Sequence, residues 1–139
     1  MEKQKLADLI RKAPLFSRVN KKGLSQIADK ATIKEFAAGT KVVKAGATGT
    51  GFYLILSGTA DVIRDGKTIA QLKDGDFFGE MALLDGAPRS ADVVATEDAV
   101  CLVLTLWGLR STIALTPDVA LNMLEEVVHR LRDTGRALS

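Results

Sequence analysis

Five glycine turns punctuate residues 38–75: Ala38-Gly39, Ala45-Gly46, Ser57-Gly58, Asp65-Gly66 and Asp74-Gly75. The segments they separate are apolar or β-branched, at Val42-Val43, 52–56, 60–63 and 68–72, and two more such runs follow at 91–95 and 100–104. Short runs of this kind between turn signals read as strands. Asp65-Gly66 lies between two of them, where an Asp-Gly pair favours a tight hairpin. Regular alternation of strand and turn predicts a sandwich or a barrel over residues 32–105.

Both flanks read as helices. Leu6, Leu9 and Ile10 share a helical face, and Pro14 ends that segment. A second helix is expected near Asn20, whose side chain can cap it, with Leu24, Ile27, Ala28 and Ala31 at helical spacing. After the strands, 107–115 predicts a short helix, with Trp107 expected to anchor it on the barrel. Thr116-Pro117-Asp118 then supplies a capping hydroxyl, a first-turn proline and an acid favoured by the helix dipole. In the helix that follows, Ala120, Leu124, Val127 and Leu131 are expected to face the barrel, with Met123 and Val128 toward its edge and Gly135 as the stop.

The chain has 139 residues, which fits one domain with a single core, spanning 1–139. A net charge of +2 is too small to argue for nucleic acid or a membrane surface. One cysteine, Cys101, excludes an internal disulfide, and its apolar strand makes it a core residue. No signal peptide is legible at the N-terminus, and the apolar run 99–104 is far below the roughly 20 residues a membrane helix needs. A cytoplasmic location is the expectation. The single histidine, His129, reads as a surface residue. It leaves no basis for a metal barrel or a nucleophilic triad, so no cofactor and no catalysis are expected.

One segment is odd for a strand zone: Phe78-Gly79-Glu80-Met81-Ala82-Leu83-Leu84, then Asp85-Gly86-Ala87-Pro88-Arg89-Ser90-Ala91-Asp92-Val93. Gly79 permits a tight backbone path, and 80–84 can form one helical turn. Such a turn leaves N–H groups pointing one way, toward an anion. Asp85-Gly86-Ala87-Pro88 reverses the chain and brings in Arg89, whose guanidinium matches a phosphate with two exocyclic oxygens. Glu80 can accept from a ribose 2′-hydroxyl. One acid and one base across a short loop fit a ribose cyclic phosphate.

The segment resembles the phosphate-binding cassette of the cyclic-nucleotide-binding domain family, which includes bacterial cAMP receptor proteins and regulatory subunits of cAMP-dependent kinase. Gly46, the 52–56 strand, Gly58 and Gly75-Asp76 extend the resemblance over nearly the whole chain. It implies a mainly β fold with flanking helices. The expected form is an eight-stranded antiparallel β-roll over 32–105, with N-terminal helices in 1–31 and two C-terminal helices in 107–135. It implies a cassette at 78–93 that takes cAMP or cGMP. Phe78, Gly79, Met81 and Ala82 would line it, with backbone N–H groups around 79–82 facing phosphate and sugar. Glu80 would take the 2′-hydroxyl and Arg89 the cyclic phosphate. Ser90 and Ala91 would offer N–H groups, and the Ser90 hydroxyl could reach phosphate or base, which leaves base choice open. Asp92 departs from the family's usual threonine or serine, and strand alternation turns it away from the ligand. Thr134, after Arg130-Leu131, matches the lid position of receptor proteins. Lys21-Lys22 and Arg130-Arg132 read as solvated faces.

The expected function is a regulatory sensor acting in trans on another protein, as a monomer or weak homodimer. The chain ends at Ser139 without a helix-turn-helix segment, so no DNA binding is expected of it alone. Two rival readings stay open: a protein-interaction module that has lost the ligand, and the sensor piece of a longer transcription regulator.

Overall fold

The apolar run 52–56 does not alternate because both faces of its strand are covered. In the computed structural model, which describes residues 3–47, 51–79 and 89–135 (positions 3 and 133–135 by backbone alone), Phe52, Leu54 and Leu56 face the helices. Ile55 and Tyr53 face the interior between two sheets. A strand covered on both sides must be apolar throughout.

The elements in chain order are α1 (Lys3–Lys12), a 3-10 turn (Pro14–Phe16), α2 (Lys21–Lys30), β1 (Thr32–Phe36), β2 (Lys41–Val43), β3 (Gly51–Ser57), β4 (Ala60–Arg64), β5 (Lys67–Leu72), β6 (Phe77–Phe78), β7 (Asp92–Ala95), β8 (Ala99–Thr105), α3 (Leu106–Leu115) and α4 (Asp118–Gly135). Among the described residues two four-stranded sheets result, ordered β1-β8-β3-β6 and β2-β7-β4-β5, with every pairing antiparallel. This is the expected eight-stranded roll. No helix among the described residues is long and apolar enough to cross a membrane.

The Asp65-Gly66 hairpin forms between β4 and β5. Both turn residues have positive φ, 53° and 77°, as a tight turn matched to strand twist requires. Asn20 caps α2 as expected, its Oδ1 accepting from Gly23 N at 2.8 Å. β1 and β6 are strands that the apolar runs did not mark. β1, with Lys34 and Glu35 exposed, is a strand because β8 offers it a full ladder from Thr32 with Val103 to Phe36 with Ala99.

Two cores follow from this layering. One joins Leu6, Ile10, Phe16, Leu24 and Ile27 of the N-terminal helices to Phe52, Leu54, Leu102, Leu104 and Leu109. The other fills the roll with Val43, Ile55, Leu72, Phe78, Val93 and Cys101. Full burial of one side chain such as Phe52 contributes about 1.5–3 kcal/mol. Burial pushes the Cys101 thiol up to about 11, so it is inert at neutral pH and fits the core reading.

Two helix-face expectations are corrected. Trp107 does not anchor α3, because it is 75% exposed with the Arg110 guanidinium 5.7 Å from its ring. Thr105 caps that helix, accepting from Gly108 N at 3.0 Å, and this phase turns Leu109 and Thr112 inward. Trp107 lies about 100° round from Leu106 and points outward. In α4, Val119 and Met123 are buried, whereas Leu124 is 60% exposed and Leu131 is exposed too. Polar contacts set this rotation. Asn122 Nδ2 donates to the carbonyls of Pro14 and Leu15 at 3.3 and 3.1 Å, and Arg130 reaches β6. The apolar residues of α4 cover a broad stripe of more than half its circumference, so hydrophobic spacing alone does not choose which part of the stripe faces inward.

Candidate functional site

Phe77 and Phe78 end β6, and strand alternation sends their rings to opposite cores. Phe77 packs beside Phe52 with ring centroids 5.6 Å apart, while Phe78 stacks on Tyr53 at 4.9 Å, nearly parallel. Their backbones pair with Leu54 and Tyr53. Gly79 therefore leaves β6 from a point held on both sides. Its φ is 90°, a left-handed conformation that side-chain-bearing residues rarely adopt.

Space makes the same demand. A Cβ at Gly79 would lie 2.6 Å from Arg89 Nη1 and 2.8 Å from the Gly51 carbonyl oxygen. Arg89 is only 8% exposed, and its Nη2 donates to Gly51 O at 2.7 Å. Its backbone is held separately, since its N–H donates to Ala47 O at 2.9 Å and its carbonyl accepts from Gly46 N at 2.8 Å. The fold thus brings Gly79 and Arg89 to one place at the start of β3. Keeping a guanidinium at this depth carries a desolvation penalty, so the position favours an anion nearby.

Beyond Arg89, Ser90 is exposed and Ala91 is buried. Arg64, at the end of β4, donates through Nε to Ser90 O and through Nη2 to Ser90 Oγ, each at 3.4 Å. Asp92 is turned to other partners, in line with the strand reading. Its carboxylate accepts from Ala45 N at 2.7 Å and pairs with Lys41 at 3.3 Å. The Ala45 N–H, with Lys41 and Lys44 close by, holds the Asp92 carboxyl below the ordinary carboxylate range.

Of the residues singled out from sequence, Phe78, Gly79, Arg89, Ser90 and Ala91 lie within the described residues, at or next to the junction of Gly79 with Arg89. Glu80, Met81 and Ala82 lie outside the described residues, as does the Thr134 side chain, whose backbone continues α4. Arg130 is not a solvated face. Its guanidinium donates to Phe77 O, lies 4.5 Å from the Phe77 ring and pairs with Glu126 at 3.2 Å. It ties α4 to β6 two residues before Gly79. Sequence reading also passed over Gly51 and Arg64. Neither carries a local signal, because one acts through its carbonyl and the other is one of many surface cations.

The sequence profile of the cyclic nucleotide-binding domain matches residues 33–114. A cAMP-dependent protein kinase regulatory subunit from Eremothecium gossypii is 40% identical over 131 residues, covering 94% of this chain and 27% of that protein. The chain thus spans about a quarter of the length of the curated relatives it matches. Among solved structures, the Thermus thermophilus catabolite activator protein superposes with a TM-score of 0.81 at 31% identity, over 91% of this chain and 62% of that one. A cyclic nucleotide-binding domain from Methylobacillus flagellatus gives 0.80 at 26%, over 95% and 79%. Together with the roll and the close approach of Gly79 and Arg89, these matches identify the chain as a member of the cyclic nucleotide-binding domain family.

Proposed function

We propose that this chain binds a cyclic nucleotide in the 78–93 cassette, cAMP in preference to cGMP, and acts as a non-catalytic regulatory sensor on another protein. The observation that carries this reading is the buried Arg89 guanidinium, held against Gly51 and Gly79 at the closing end of the cassette. In this reading Arg89 pairs with the cyclic phosphate and Glu80 accepts from the ribose 2′-hydroxyl. Met81, Ala82 and Ala91 line the site, and Thr134 covers the base. The preference for cAMP is supported by relatives named as cAMP-dependent regulatory subunits. Those names also support a regulatory role without catalysis. A cytoplasmic location is supported by the lone, buried cysteine.

Ligand would act by favouring one position of α4 over another, within the limit set by its different affinities for the two. Arg130 supports this route, since it joins α4 to the backbone that leads into Gly79.

Calorimetric titration with cAMP, cGMP and 2′-deoxy-cAMP tests the reading. cAMP is expected to bind more tightly than cGMP, and the 2′-deoxy compound to lose about 1–3 kcal/mol. Absence of binding by either natural nucleotide would instead favour an interaction module that no longer takes the ligand.

The assembly is proposed to be a monomer or a weak homodimer. Leu121, Leu124, Val128 and Leu131 form an exposed seam at 3-4-3 spacing on α4. A seam of roughly three turns is marginal for a free-standing coiled coil. Sedimentation at micromolar concentration is expected to show mainly monomer with and without cAMP. A tight dimer in both conditions would overturn this.

A further inference from the structure

We infer that Arg64 is a positioning residue for the ligand phosphate, acting by holding the Ser90 carbonyl and hydroxyl so that the hydroxyl proton is turned away from Arg64. The inference rests on the nucleotide-binding reading above. Arg64 uses the Nε and Nη2 side of its guanidinium as a fork, one tine on the Ser90 carbonyl and the other on the Ser90 hydroxyl, at 3.4 Å each. Surface arginines usually turn to carboxylates, and Asp61 and Asp65 are close in sequence. Among the described residues, no ion pair joins Arg64 to an acid; the fork is given to a neutral serine.

The chemistry follows from counting. A serine hydroxyl has one proton to donate and two lone pairs. A cation that occupies a lone pair turns the proton away from itself and polarises the O–H. Ser90 directly follows Arg89, whose guanidinium sits at the closing end of the cassette. A hydroxyl fixed as a donor there suits a phosphate oxygen, which only accepts, and the resulting bond is charge-assisted. The second tine, on the carbonyl, holds the Ser90 backbone as well. Arg64 would thus secure the far end of the cassette as Arg130 secures the β6 end.

Arg64→Lys keeps the charge and removes the fork. In calorimetric titrations with cAMP, Arg64→Lys and Ser90→Ala are each expected to weaken binding roughly tenfold, and the double variant scarcely more than either. The two phosphorothioate diastereomers of cAMP give a readout that general loosening would not move. With one of them, whose sulfur replaces the oxygen facing Ser90, Arg64→Lys should have little further effect. With the other it should keep its full loss. Parent-like affinity in Arg64→Lys, additive single effects, or equal losses with both diastereomers would overturn the assignment while leaving nucleotide binding intact. A parent that binds neither cAMP nor cGMP would overturn the functional reading and this assignment with it.

Discussion

Arg89→Ala is expected to weaken cyclic-nucleotide binding by roughly 100-fold or more while the chain stays folded. Two separate sets of contacts make this outcome readable. The backbone of Arg89 is fixed by bonds with Ala47 and Gly46, which do not involve the side chain. Truncation therefore leaves the chain path in place. The side chain, in contrast, is a cation at 8% exposure whose Nη2 bonds Gly51 O at 2.7 Å. Its removal takes away the donor proposed to face the ligand, together with the bond to the β3 backbone, whose loss costs about 1–3 kcal/mol of stability. Arg89→Lys is expected to fall between parent and alanine, because an ammonium keeps the charge but not the planar fork. Calorimetry for affinity, with thermal unfolding beside it, checks both parts. An alanine variant that binds like the parent would show that Arg89 is a structural cation and that the phosphate lies elsewhere.

Gly79→Ala is expected to harm the site at least as much, by a different route. The alanine must hold a φ of 90° and place its Cβ 2.8 Å from the Gly51 carbonyl and 2.6 Å from Arg89 Nη1. Gly51 opens β3, which is laddered to β6 and β8, so its carbonyl has little freedom to retreat. The guanidinium is the part that can move, and moving it displaces the proposed phosphate partner. The strained backbone and the displaced cation together should reduce stability by about 1–3 kcal/mol. Nucleotide affinity should fall roughly as far as in Arg89→Ala, or further. The double variant Gly79→Ala, Arg89→Ala removes one of the two clashes. It should be more stable than the sum of the single losses implies. If Gly79→Ala leaves affinity and melting temperature as in the parent, Gly79, Gly51 and Arg89 are not the tight junction described above.

What the sequence by itself determined is local chemistry. Asp65-Gly66 makes its turn because two adjacent residues tolerate positive φ, and Asn20 caps α2 because its acceptor lies three residues from the amide it needs. The expectation of a cassette rests on the same kind of local signal. Gly79, Glu80, Pro88 and Arg89 sit within one short stretch, and their residue types state which ligand groups they suit. Six of the strands followed from spacing between turns, whereas the full count of eight and the roll form were what the family resemblance implied. Tertiary structure decided everything that depends on a distant partner. β1 is a strand only because β8 lies beside it, and the contents of 52–56 face two ways only because helices cover the outer side. α4 has apolar residues on most of its faces. Its rotation was chosen by Asn122 and Arg130 finding backbone carbonyls more than a hundred and about fifty residues away in the chain, respectively. Arg64 reaches Ser90 only because β4 and β7 are neighbours in one sheet. A hydrogen bond or a buried face needs two groups at one place, and a sequence read along its length holds only those pairs that are close in number.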